Sequence, residues 1–196
     1  MTTEIQTTAE ATRQLRADAR RNRERILESA RAVFAECGAE AQMDDVAARA
    51  GVGVGTVYRH FPTKEALMVE LMRQKFRLFA DRAREALETD QEPFEALVGL
   101  LRRNAETAAH DAATQLAIAG AGENLWDQTQ AEREELLERT DELIARAHRA
   151  GTIRADIQAS DIAMLMCGVC SAMSVTAPGF DWERHLDLVV DMLRPR

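Results

Sequence analysis

The segment Met43–Phe61, MDDVAARAGVGVGTVYRHF, holds the most informative side chains of this 196-residue chain. Thr56, Tyr58, Arg59 and His60 crowd one short helical run and end in hydroxyl, guanidinium and imidazole groups. Flat or forked hydrogen-bonding ends of this kind suit phosphate oxygens and base edges. Ahead of them Val46, Ala47 and Ala50 fall at helical spacing, Gly51 can take the positive φ of a tight turn, and Val52 can plug the angle between two helices. Length and order are those of a helix-turn-helix. Spacing alone leaves open a plainer alternative, two small helices of an ordinary α-bundle with Tyr58 as a surface aromatic.

Cys167 and Cys170 form a second group, since their i, i+3 spacing puts both sulfurs on one helical face. A redox pair of the thioredoxin kind needs a βαβ setting, and a zinc site needs two further ligands. Small buried thiols at a helix crossing are therefore the favoured expectation. His60, His110, His148 and His185 show no HExxH or paired spacing and are expected at the surface or as caps, His60 excepted. Neither a serine elbow, a P-loop nor a dinucleotide fingerprint is present. The expectation is a protein that is no enzyme, with no cofactor and no metal.

The elements that position these groups are helical. Alanine occurs 34 times against 11 Val and 7 Ile, and aromatics are only 5%, which favours helices over strands. The predicted fold class is all-α, with about nine helices. Residues 1–17 read as a polar, flexible arm and the first amphipathic helix as running from about Asp18 to Cys37. Short helices follow at Met43–Ala50 and Val54–His60. Pro62 stops the second, Thr63 caps the next, and that helix runs to about Leu87. Pro93 opens another. Asp111 is placed as the cap of a shorter piece to about Ala119, and Gly120–Gly122 as a hinge. Long helices are expected at about Leu125–Ala150, Ala159–Val175 and Trp182–Leu193.

Charge is unevenly spread. The total of 25 basic and 33 acidic residues gives −8, which argues against indiscriminate coating of nucleic acid. Residues 13–31, however, carry seven arginines against Asp18, Glu24 and Glu28. That basic end suits an anionic partner; Arg13, Arg16, Arg20 and Arg21 either enter a minor groove or stay in solvent. Ile162–Phe180 has no formal charge, but its apolar part stops at Val175 and it reads as a buried helix, not a membrane span. Three cysteines and the absence of an apolar leader pattern point to a reducing cytoplasm.

Residues 22–70 resemble the tetracycline-repressor (TetR) family of bacterial transcription regulators. The resemblance lies in Arg25-Ile26-Leu27 with Ala30, Phe34 and Gly38, in Val46-Ala47-x-x-Ala50-Gly51-Val52, and in Thr56-Val57-Tyr58-Arg59-His60-Phe61 followed by Lys64 and Leu67. Family members often carry Thr and Ser where this chain has Gln42 and Gly53. The resemblance implies a DNA-binding domain at residues 18–66 and an effector-binding, dimerising domain at 67–196. It also implies a cytoplasmic, nucleoid-associated homodimer that leaves a palindromic operator when a small organic effector binds. Tyr58 and Lys64 would hold phosphates with help from Thr56, while Val54, Gly55, Arg59 and His60 would lie nearest the bases. Phe76, Phe79, Leu101, Asn104, Leu116, Trp126 and Met166 either border an effector cavity or pack as plain core. A thiol-sensing regulator using Cys167 and Cys170 on the same fold is the alternative. For dimerisation, Ile162–Met173 and the face of Leu186, Val189, Val190 and Leu193 offer apolar surface that two copies can close as a four-helix bundle.

Overall fold

The computed structural model describes residues 2–111, 123–173, 179 and 181–195. Among them are nine α-helices and no strand. They are α1 (Thr2–Cys37), α2 (Met43–Ala50), α3 (Val54–His60), α4 (Lys64–Leu87), α5 (Pro93–Ala109), α6 (Glu123–Gln128), α7 (Gln130–Ala150), α8 (Ala159–Met173) and α9 (Trp182–Leu193). The chain divides into two compact units, Met1–Leu67 and Met68–Arg196. The piece expected after Asp111, the hinge at 120–122, and Leu116 lie outside the described residues.

In the first unit α1 begins at Thr2, not at Asp18, so the expected arm is a continuation of the helix. The physical reason is local: no glycine or proline precedes Gly38, and Ala, Glu, Gln and Arg propagate a helix at little cost. The core is built where α1 meets α2 and α3. Ile26, Leu27, Ala30 and Phe34 are buried from α1, Val46 and Ala47 from α2, and Val57 from α3, with Phe61 and Leu67 completing it. Gly51 takes φ 63°, and the amides of Gly51 and Val52 return to the end of α2. Arg25 donates to the Ala50 carbonyl at 3.0 Å, tying α1 to that helix end. With no hydroxyl at Gln42, the reciprocal half of a capping box is still made, since the Asp45 carboxylate accepts the Gln42 backbone amide at 3.0 Å. Thr63 accepts from the Ala66 amide, the cap its position predicts.

The second unit buries Leu97, Leu100 and Leu101 of α5 against Leu143 and Ile144 of α7, Ile162 and Val169 of α8, and Leu186, Val189, Val190 and Leu193 of α9. The start of α5 is held by Glu92, which accepts the amides of Phe94 and Glu95 and the hydroxyl of Thr152. Burial pushes that carboxyl up, but these three donors outweigh it and hold Glu92 below the usual carboxylate range. The single helix expected over Leu125–Ala150 is two, broken at Thr129. Thr129 is fully buried and its hydroxyl donates back to the Leu125 carbonyl at 2.8 Å. Arg73 of α4 donates twice to the Gln128 carbonyl, at 2.8 and 3.0 Å, satisfying the freed end of α6. No described helix is long and apolar enough to cross a membrane; α8 has 15 residues.

Candidate nucleic-acid interface and cavity

In the first unit α3 packs inward through Val57, which is fully buried, and this turns the opposite side outward. Val54, Gly55, Tyr58 and Arg59 are exposed there, while Thr56 and His60 are half-buried. Val54 and Tyr58 are 42% and 45% accessible, so both are open to a partner on the same side of α3 as Arg59. Arg59 makes no hydrogen bond or ion pair within the described residues. Lys64, in the first turn of α4, is held on the body of the unit: its Nζ donates to the Ala39 carbonyl at 2.7 Å and lies 5.6 Å over the Phe34 ring. Gly53, the N-cap of α3, provides no side-chain cap, which leaves the first amides of the helix without that acceptor.

The second unit contains a cavity of about 430 Å³, within the usual range of roughly 300–1,000 Å³ for small-molecule sites. Phe76, Phe79, Leu101, Asn104, Trp126 and Met166 all border it. Sequence reasoning missed Lys75, Arg133, Thr140 and both cysteines, which border it too. A signal was available: Lys75 shares the stripe of Met72, Phe76 and Phe79, and Arg133 and Thr140 share that of Leu136, Leu137, Leu143 and Ile144. Polar groups at stripe positions are expected to face the interior. Lys75 is buried and its Nζ lies 2.6 Å from the Asp111 carboxylate. Asn104 is committed in part, since its Oδ1 accepts from Arg82 at 3.2 Å; Arg82 also donates to the Arg103 carbonyl and the Thr107 hydroxyl.

Cys167 is exposed and Cys170 half-buried, so neither is the thiol sealed at a helix crossing that spacing favoured. Desolvation pushes both thiols up, Cys170 to about 11, and outweighs the opposing pull of Arg133 on Cys167 and of Lys75 on Cys170. A redox sensor needs the thiolate near neutral pH. The thiol-sensing alternative is therefore not supported. On α9, Leu186, Val189, Val190 and Leu193 are consumed by the core of their own unit and give no dimer face. The apolar side chains left outside are Leu188 and Met192 on α9 and Met164 on α8, at 55%, 54% and 71% accessibility. Of the histidines, the ring of His110 bonds the Glu106 carbonyl at the end of α5, a capping contact, and that of His148 bonds the Arg154 carbonyl in the loop after α7.

A family model described as bacterial regulatory proteins of the tetR family matches residues 26–71, and one described as the SbtR-like transcriptional regulator C-terminal domain matches residues 92–195. A TetR transcription regulatory protein of known structure from Mycobacterium vanbaalenii is 40% identical, covering 92% of this chain and 99% of its own, with TM-score 0.65. The chain belongs to the TetR family. Among other members it resembles the TetR regulator SCO0520 of Streptomyces coelicolor, at 33% identity over 88% of this chain and 98% of that one, with TM-score 0.61. It is also 41% identical over 88 residues to the transcriptional repressor KstR of Mycolicibacterium smegmatis. That match spans 43% of each protein, so the chain aligns with less than half the length of the curated relatives. These TetR relatives are transcriptional regulators, not enzymes.

Proposed function

We propose that this TetR-family chain is a homodimeric repressor that holds a palindromic operator through α3 and leaves it when a small organic effector fills the cavity of the second unit. The observation that carries the reading is the outward row of α3, where Val54, Gly55, Tyr58 and Arg59 stand exposed on a helix anchored by Val57. In this reading Arg59 and His60 reach base edges, Tyr58, Thr56 and Lys64 hold phosphates, and Val54 and Gly55 lie close to the bases. Two such helices related by a dimer axis address half-sites about 34–36 Å apart. The repressor works in the cytoplasm at the nucleoid.

Gly55→Ala separates function from folding. A Cβ built at Gly55 meets nothing within 4 Å inside the protein, and alanine is the better helix former by up to about 1 kcal/mol. The expected result is an unchanged or raised Tm together with a loss of operator affinity of about tenfold, about 1.4 kcal/mol, because the methyl group stands between helix and DNA. Unchanged affinity in a gel-shift titration would sink the assignment of α3 to DNA.

Release follows from α4. The helix is continuous from Lys64 to Leu87, and its Met72, Lys75, Phe76 and Phe79 border the cavity. A ligand there acts on the helix whose first turn carries Lys64. Ligand and DNA need differ in preferred arrangement by only about 1.4–2.8 kcal/mol for a 10- to 100-fold loss of operator affinity, and operator must weaken ligand binding by the same factor. Asn104 offers the ligand its amide NH2, which has no partner within the described residues. Asn104→Leu is expected to blunt the response to effector while costing about 1 kcal/mol of stability, because Arg82 keeps two acceptors. Thermal denaturation and effector-free gel shifts check this; loss of DNA binding without effector would make Asn104 purely structural.

A further inference from the structure

Only two charged side chains border the cavity among the described residues, and both are cations, Lys75 and Arg133. They come from different helices, 58 positions apart in sequence, and each occupies a stripe position where an apolar residue would pack. Lys75 already has a counter-ion in Asp111 at 2.6 Å, and Asp111 does not border the cavity. Arg133 is placed differently. Its guanidinium lies 5.2 Å over the Trp126 ring and Nη1 donates to the Trp126 carbonyl at 3.3 Å. That bond orients the guanidinium and uses one of its five donors. No carboxylate of the described residues lies within ion-pair distance of it. The remainder of the wall is mostly apolar, with Phe76, Phe79 and Leu137 among its side chains and Asn104, Thr140 and Ser160 as its uncharged polar residues.

We propose that this cavity selects a ligand with an apolar body and a single carboxylate, held by the guanidinium of Arg133, while Lys75 on the same wall stays paired to Asp111. The proposal rests on the effector reading above and names the class of that effector. A planar guanidinium with free donors matches a carboxylate in a forked geometry, and inside an apolar wall such a charge-assisted pair is stronger than its neutral equivalent. A ligand amine would instead set like charges together in a low-dielectric site. The positive potential reaches the sulfurs nearby, since Arg133 opposes the rise of the Cys167 thiol and Lys75 that of the Cys170 thiol, although desolvation holds both above the ordinary thiol value.

The test is calorimetric titration of the full chain with two matched sets of probes: decanoate, 1-decanol and decylamine, and 2-naphthoate with its alcohol and aminomethyl counterparts. At least one carboxylate is expected to bind about 10- to 100-fold more tightly than its alcohol, and the amines more weakly than either. In Arg133→Gln that preference is expected to vanish while alcohol binding is retained, and Arg133→Lys is expected to restore part of it. Arg133 is the position to vary, because removing Lys75 would also break its buried ion pair with Asp111. If no carboxylate exceeds its alcohol, or if the preference survives in Arg133→Gln, the proposal is overturned. Operator titrations with the same probes keep the two readings apart. A carboxylate that binds through Arg133 yet leaves operator affinity unchanged supports this proposal and removes the effector reading; an alcohol that binds as tightly and releases operator does the reverse.

Discussion

The double variant Met164→Glu, Leu188→Glu is expected to be folded, monomeric at micromolar concentration, and at least 100-fold weaker on operator DNA. Both side chains are exposed in the isolated chain, at 71% and 55%, and neither belongs to the core of the second unit, although Met164 also borders the cavity. In the proposed dimer the same side chains are covered by their symmetry mates, and burying each is worth about 1.5–3 kcal/mol. Replacing them puts four carboxylates into one apolar interface, where charges without partners cost several kcal/mol each. A monomer presents one copy of α3 and forfeits the second half-site. Its affinity then falls from the specific range, about 10⁻⁸–10⁻¹¹ M, toward the non-specific range of about 10⁻⁴–10⁻⁶ M. Light scattering, circular dichroism and a gel-shift titration decide the matter. A dimer that persists in the double variant would move the interface away from α8 and α9.

Arg59→Ala is expected to lower operator affinity by about 30-fold to 10⁴-fold and to relax base preference at one position of each half-site. Loss of a base-reading arginine costs about 1–3 kcal/mol, and a dimer loses it twice, giving about 2–6 kcal/mol. No compensating loss of stability enters, because Arg59 has no hydrogen bond or ion pair within the described residues. Lys64→Ala is the informative contrast. A lysine on a phosphate carries no sequence information, so its removal is expected to weaken all sites about equally and to flatten the salt dependence by about one unit for each phosphate no longer held. A binding-site selection with each variant distinguishes the two. Unaltered base preference in Arg59→Ala would assign that arginine to the backbone as well.

How far the sequence could be read depended on where the cause of each feature lies along the chain. The boundaries of α2, α3 and the start of α4 were legible because their signals are local: Gly51 at positive φ, Pro62 and the Thr63 cap lie within the segment they organise. The exposed face of α3 was legible in part for the same reason: of the four side chains expected on it, Tyr58 and Arg59 stand exposed beside the anchoring Val57, and Thr56 and His60 are half-buried. By contrast the break at Thr129 was invisible, because half of its cause is Arg73 on another helix, which satisfies the Gln128 carbonyl. The continuation of α1 to Thr2 was obscured because polar composition read as an arm, although nothing in it stops a helix.

An all-α chain with a helix-turn-helix near its start therefore follows from the residues alone, since propensity, caps and a 3.6-residue period act over a few positions. Which apolar face went inside was settled only by packing. Leu186, Val189, Val190 and Leu193 and, opposite them, Leu188 and Met192 give α9 two apolar sides; the first set met Leu97 and Leu143 in the core and the second stayed outside. Periodicity identifies an apolar stripe but says nothing of what will cover it. It was likewise packing that brought Lys75 of α4 and Arg133 of α7 to one cavity. The stripe position of each was visible in the linear sequence, but not that the two would share one wall, in which the guanidinium of Arg133 is proposed to take an anion while Lys75 keeps Asp111.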